Sequence, residues 1–83
     1  MEKAHAVQAV QVDETFLSLT VDGRGYRIRW ADCSPRLARA MQSQRERFEI
    51  TPSGYGIHWS EIDEDLAIMQ LLQSAELVEA QVA

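Results

Sequence analysis

The chain has 83 residues, 46% of them apolar, and a formal net charge of −5. That length is one small domain over 1–83; two Trp, two Tyr and two Phe exclude a disordered chain, and the acidic balance argues against a DNA-binder as the default. Its one Cys, Cys33, excludes an internal disulfide and a cysteine-based zinc site.

Residues 6–12, A-V-Q-A-V-Q-V, read as a first strand, with Val10 and Val12 on one face. Asp13-Glu14 is the expected two-residue turn. Thr15–Asp22 is a second strand, with Leu17, Leu19 and Val21 at period two. Asp22-Gly23-Arg24-Gly25 is a tight turn, read with Gly23 and Arg24 in the loop because Gly accepts positive φ. Gly25–Trp30 is a third strand. In that register Val21 faces Tyr26, Leu19 faces Ile28 and Leu17 faces Trp30. Arg27 and Arg29 lie on the other face.

Ser34-Pro35 predicts a helix start, with a hydroxyl N-cap and Pro at the first helical position. Leu37, Ala38, Ala40 and Met41 form a short apolar stripe that leaves out Arg36 and Arg39. Ser43-Gln44-Arg45-Glu46 has capping-box spacing, so 35–46 reads as a short, broken helical crossover. Phe48–Thr51 and Gly56–Trp59 form a second hairpin around Ser53-Gly54. Ile50 then faces Ile57, Phe48 faces Trp59 and Glu49 faces His58. Ser60–Asp65 is expected to open a last helix, its acids suiting the positive end of the helix dipole. The helix would run on through Leu66, Ala67, Ile68, Met69, Leu71 and Leu72 toward about residue 80. Its apolar residues exceed one narrow stripe, so a second cover is expected, from another copy or a partner. The order β-β-β-α-β-β-α predicts an α+β fold, an antiparallel sheet of two hairpin units with helices on one face. The ordered core is expected over about 6–72. Trp30, Phe48 and Trp59 are expected inside with Tyr26, and Tyr55 outside.

Charge is unevenly spread. Residues 23–47 hold seven Arg against Asp32 and Glu46, a local net of +5, whereas residues 48–83 hold seven acids and no Lys or Arg. These are either two surfaces for different partners or solvated faces that pair with each other. Arg24, Arg27, Arg29, Arg36, Arg39, Arg45 and Arg47 are the candidates for phosphate contact. His58 with Glu61, Asp63, Glu64 and Asp65 is the candidate metal or acid–base group. The competing reading is an acid-dressed helix start beside a His58–Glu49 cross-strand pair. Cys33 precedes a helix N-cap, where a dipole lowers a thiol pKa, but no Gly-rich elbow accompanies it. Asp22-Gly23-Arg24-Gly25 is too short for a phosphate loop. No metal or cofactor and no enzymatic activity are expected. No apolar run approaches the roughly 20 residues of a membrane span, and the first residues lack an apolar signal core. A free thiol fits a reducing compartment, so a cytoplasmic location is expected.

Three runs carry a resemblance: W-A-D-C-S-P-R-L at Trp30–Leu37, Q-R-E-R-F-E-I at Gln44–Ile50, and G-Y-G-I-H-W-S-E-I-D-E-D-L at Gly54–Leu66, with Leu71-Leu72 beyond it. Over Val7 to Leu72 the chain resembles the bacterial domain-of-unknown-function family 2442. The resemblance implies a small α+β domain and no established catalytic residues. Some relatives are encoded beside a small toxin-like protein, which implies a two-protein, antitoxin-like module. Others carry a helix-turn-helix extension. Ser60 stands where the family usually has Pro, Pro52-Ser53 replaces a Gly-rich lead, and Ala67–Gln70 replaces a more polar stretch. The expected role is therefore a non-enzymatic interaction module for a protein partner, through Tyr55, His58, Glu61, Asp63, Glu64 and Asp65. Self-association through the last helix is a further expectation. Nucleic-acid contact through Arg24, Arg27, Arg29, Arg36 and Arg39 is the alternative.

Overall fold

The computed structural model describes residues 7–78. Three strands come first: β1 (Val7–Val12), β2 (Phe16–Val21) and β3 (Arg24–Arg29). Three short helical turns come next, α1 (Trp30–Cys33), α2 (Pro35–Arg39) and α3 (Gln42–Arg45). The described residues end with β4 (Phe48–Ile50), β5 (Gly56–Trp59), β6 (Glu64–Ala67), α4 (Ile68–Ser74) and β7 (Glu76–Val78). The strands form two antiparallel sheets, β1-β2-β3-β7 and β4-β5-β6. The α+β class and its antiparallel pairing are as expected from the sequence.

The first hairpin differs in its turn. The loop is Asp22-Gly23, and both residues have positive φ, 56° and 76°. This is the backbone of a type I′ turn, whose twist matches the flanking strands and which favours Asp-Gly. Moving the loop by one residue moves the register by two: Leu17 pairs with Ile28, Leu19 with Tyr26 and Val21 with Arg24. A slip of two keeps every side chain on its face, because the side-chain period is two. Leu17, Leu19, Val21 and Ile28 are thus still buried. The same slip takes Trp30 out of the ladder, and it begins α1 instead. At Gly23 an added Cβ would meet nothing within 4 Å, so the only cost of a side chain is its left-handed backbone. Gly23→Ala is expected to lower stability by about 1 kcal/mol in urea denaturation, with the spectrum of the folded state unchanged.

Asp13 shapes the other connection. The loop is Asp13–Thr15, one residue longer than expected. The Asp13 carboxylate accepts from the backbone N–H of Thr15 and of Phe16, each at 2.7 Å. Those two bonds to its charged form hold the Asp13 pKa below the usual carboxylate value. Ser34 caps α2 as expected, its Oγ accepting from the Leu37 N–H at 3.1 Å, with Pro35 at the first position. The next turn starts earlier than the Ser43 spacing predicts: Met41 is the N-cap, and its N–H donates to Gln44 Oε1 at 2.9 Å. Of the predicted stripe, Leu37 is buried while Met41 is exposed.

The second hairpin has the predicted register, Phe48 with Trp59, Glu49 with His58 and Ile50 with Ile57. The chain after Trp59 departs from the expectation, because Ser60–Asp65 opens no helix. It turns at residues 60–63, with Asp63 at φ 53°, and returns as β6. Leu66 and Ile68 are buried while Asp65 and Ala67 are exposed, a period of two that a helix would scramble. The ladder with β5 gives its backbone groups their partners, and this outweighs the poor strand propensity of Glu and Asp. The helix shrinks to the seven residues of α4, and β7 then pairs with β3. Of the apolar surplus, Leu66, Ile68 and Leu71 join the core, while Met69 stays 46% exposed. Ala6 and the expected helix end near residue 80 lie outside the described residues.

The core joins both sheets. Trp59 is fully buried and meets Trp30 edge to face, with ring centroids 6.5 Å apart. Val7, Leu37, Ile57 and the inward residues of β2 and β3 complete the cluster. Phe48 and Tyr26 pack against it, half-buried.

Candidate functional site

The motif residues gather on the three-stranded sheet. Opposite residues in paired strands share a face, so Glu49, His58 and Asp65 form one row across β4, β5 and β6. Ile57, Trp59 and Leu66 point the other way, into the core. The His58 Nδ1–H donates to Asp65 Oδ1 at 2.6 Å. The cross-strand partner expected from the sequence is Glu49; the hydrogen-bonded one is Asp65. That choice stays hidden as long as residue 65 is placed on a helix.

The four predicted acids do not converge. Glu61 pairs with Arg47 at 3.1 Å, and both side chains are well exposed. Asp63 sits in the turn. Glu64 and Asp65 are neighbours on a strand, so they point to opposite faces. Among the described residues no three His, Cys, Asp or Glu groups are placed to hold a metal ion. Tyr55 lies in the turn before β5 and is 42% exposed.

The Arg residues divide. Arg36 donates to the carbonyls of Ile62 and Asp63, at 3.0 and 3.1 Å, and so braces the acidic turn. Arg45 is half-buried; it donates to the carbonyls of Leu37 and Ala38 and lies over the Trp30 ring. Arg27 stacks on Phe16 and pairs with Glu76 at 3.2 Å. Arg24, Arg29 and Arg39 are exposed, on the inward face of β3, its outward face and α2 respectively. Burial, with Asp32 adding to it, pushes the Cys33 thiol up to about 12, which leaves it protonated at neutral pH and a poor nucleophile.

A family model described as "protein of unknown function (DUF2442)" matches residues 7–76. The chain belongs to the DUF2442 family. No curated protein and no solved structure matches the sequence. The G-I-H-W-S-E-I-D-E-D-L run that carries the resemblance covers β5, the braced turn and most of β6. In this DUF2442 chain, among the described residues, no helix is long and apolar enough to cross a membrane.

Proposed function

We propose that this DUF2442 domain is a non-enzymatic protein-interaction module. Its contact surface is the outward row Glu49, His58 and Asp65 with the neighbouring acids Glu61 and Asp63. The observation that carries this reading is that the acids have no helix to serve. Acids at a helix start are explained by the dipole alone. Here residues 60–63 are a turn and Glu64–Ala67 is a strand, where Asp and Glu are poor residues. Charges on the edge strand β6 also keep other strands from pairing with it, but Glu61 and Asp63 lie in the turn, beyond that edge. Arg36 fixes the turn before any partner arrives, which lowers the ordering cost of binding. A basic partner fits the charge. The family resemblance supports a small toxin-like protein as its class, with this chain as the antitoxin-like member.

The test replaces Glu49, Glu61, Asp63 and Asp65 together by Gln or Asn. Asn suits the left-handed backbone at residue 63, and no helix cap is lost, so the circular dichroism spectrum should be unchanged. The chain captures partners from a lysate of its own source, with and without nuclease. The expected result is one dominant basic protein, retained after nuclease and bound at least about tenfold more weakly by the neutralised variant. Undiminished binding by that variant sinks the reading. A partner set that vanishes with nuclease moves the contact to Arg24, Arg29 and Arg39.

A further inference from the structure

Each sheet ends in two edge strands, β1 and β7 in one and β4 and β6 in the other. An edge strand carries a row of backbone groups open to pairing, and charged side chains are a common guard against it. Three of these edges have that guard: β4 holds Glu49, β6 holds Glu64 and Asp65, and β7 holds Glu76. β1 reads V-Q-A-V-Q-V, without a charged residue, in a chain of net charge −5. Its first residues are closed by a bulge between Val7 and Ala9 and by a bond from the Val7 N–H to the Gly54 carbonyl. From Ala9 to Val12 the ladder with β2 is regular.

The phase of that ladder decides which groups are open. The Asp13 N–H donates to the Phe16 carbonyl at 3.1 Å, and antiparallel pairs alternate between bonded and non-bonded. Ala9 and Gln11 therefore turn their backbone groups toward β2, and Val10 and Val12 turn theirs to the open edge. Among the described residues only β2 pairs with this stretch. The side chains of Val10 and Val12 point inward yet are only half-buried, whereas their partners Leu19 and Leu17 are buried. We propose that the β1 edge pairs antiparallel with β1 of a second copy, about a two-fold axis at Gln11. In that register Val10 of each copy lies opposite Val12 of the other. Every open N–H and carbonyl of both residues is then bonded, and the Val side chains cover one another at the flank of the core. Gln11 lies opposite Gln11. The register is self-complementary, as a two-fold contact requires. A strongly charged partner gains nothing from an uncharged edge, while two acidic chains meet there without like charges opposed. The contact is small, so the dimer is weak and forms with concentration. The acidic row, on the other sheet, stays free.

The test is sedimentation equilibrium of the full chain up to millimolar concentration, with amide hydrogen exchange on the same samples. The mean mass is expected to rise toward that of two chains, and the Val10 and Val12 amides to gain protection as it rises. Gln11→Lys and Gln11→Glu each place like charges opposite one another at the axis. The Gln11 side chain is exposed, so both variants keep the fold. Each should self-associate about fivefold more weakly than the unmodified chain, and a one-to-one mixture of the two should regain the dimer. The proposal is overturned by the mass of one chain at every concentration, by a dimer that neither variant weakens, or by a mixture no tighter than either variant alone.

Discussion

Replacing Trp59 by Ala is expected to cost roughly 3–5 kcal/mol and to leave much of the chain unfolded at room temperature. A chain of this length has a total stability of roughly 4–12 kcal/mol, at about 0.05–0.15 kcal/mol per residue. Trp59 is fully buried where the two sheets share their core, against the edge of Trp30. Its ring cannot be replaced by relaxation of one neighbour, because those neighbours belong to different sheets and helices. The indole N–H also donates to the Arg45 carbonyl at 3.0 Å, and truncation leaves that acceptor without its partner. Urea denaturation followed by far-ultraviolet circular dichroism measures the loss. Trp59→Phe should retain most of the stability, since it keeps the packing and loses only the hydrogen bond and part of the ring. A Trp59→Ala chain that unfolds within about 1 kcal/mol of the parent would show that the two sheets do not depend on this contact.

Several features of the fold are legible in single residues. Ser34 and Pro35 place a helix start whatever surrounds them, because a hydroxyl acceptor and a fixed φ are local properties. The β4–β5 register comes from two apolar pairs and one polar pair that agree on both faces. At the first hairpin the face is legible and the loop is not. Gly23 fits either central position of a two-residue turn, and both choices keep Leu17, Leu19 and Val21 inward. The final third misleads for a physical reason. Leu66, Ile68 and Leu71 serve a strand and then a helix, and with Ala67, Met69 and Leu72 they read as one apolar run of helical length. A local signal exists: Ser60–Asp63 has the length of a hairpin loop between Trp59 and Glu64, which pair with each other. Acid-rich strands are unfavourable by propensity, so only the open edge of β5, a tertiary fact, decides for a strand.

The candidate site inherits this error. With residues 60–65 on a helix, the acids read as the dressing of its start and His58 as the partner of Glu49. With β6 in place, Asp65 reaches His58, Glu61 reaches Arg47 and Glu64 turns to the other face. The surface is a row across a sheet with a braced turn beside it. The Arg-rich stretch is legible as charge but not as structure, because Arg36 spends its donors on carbonyls of the distant acidic turn and Arg45 on carbonyls of the preceding helix.

Arg45 is the sharpest case, and its removal is expected to have the second-largest effect. Its Nε and one terminal nitrogen donate to the carbonyls of Leu37 and Ala38, at 3.0 and 3.1 Å. Those carbonyls belong to the C-terminal part of α2, where the helix offers few partners of its own. The other terminal nitrogen donates to Gln42 Oε1 at 3.3 Å, and the guanidinium lies 4.9 Å from the centre of the Trp30 ring. Arg45→Met keeps the aliphatic stem but loses a half-buried bond to the Leu37 carbonyl, an exposed one to the Ala38 carbonyl, and the ring contact. The expected loss is about 2–3 kcal/mol in urea denaturation. Arg45→Lys should recover only a part, since an ammonium cannot reach two carbonyls in one plane. Salt separates this role from phosphate contact. Among the described residues Arg45 meets neutral groups and a ring, and no carboxylate, so the loss should be the same in dilute and concentrated salt, whereas a phosphate contact weakens steeply. A loss under about 1 kcal/mol, or one that disappears with added salt, would return Arg45 to the set of surface charges. The expected result removes it from that set and leaves Arg24, Arg29 and Arg39, on three different surfaces, as the exposed cations that no described residue holds.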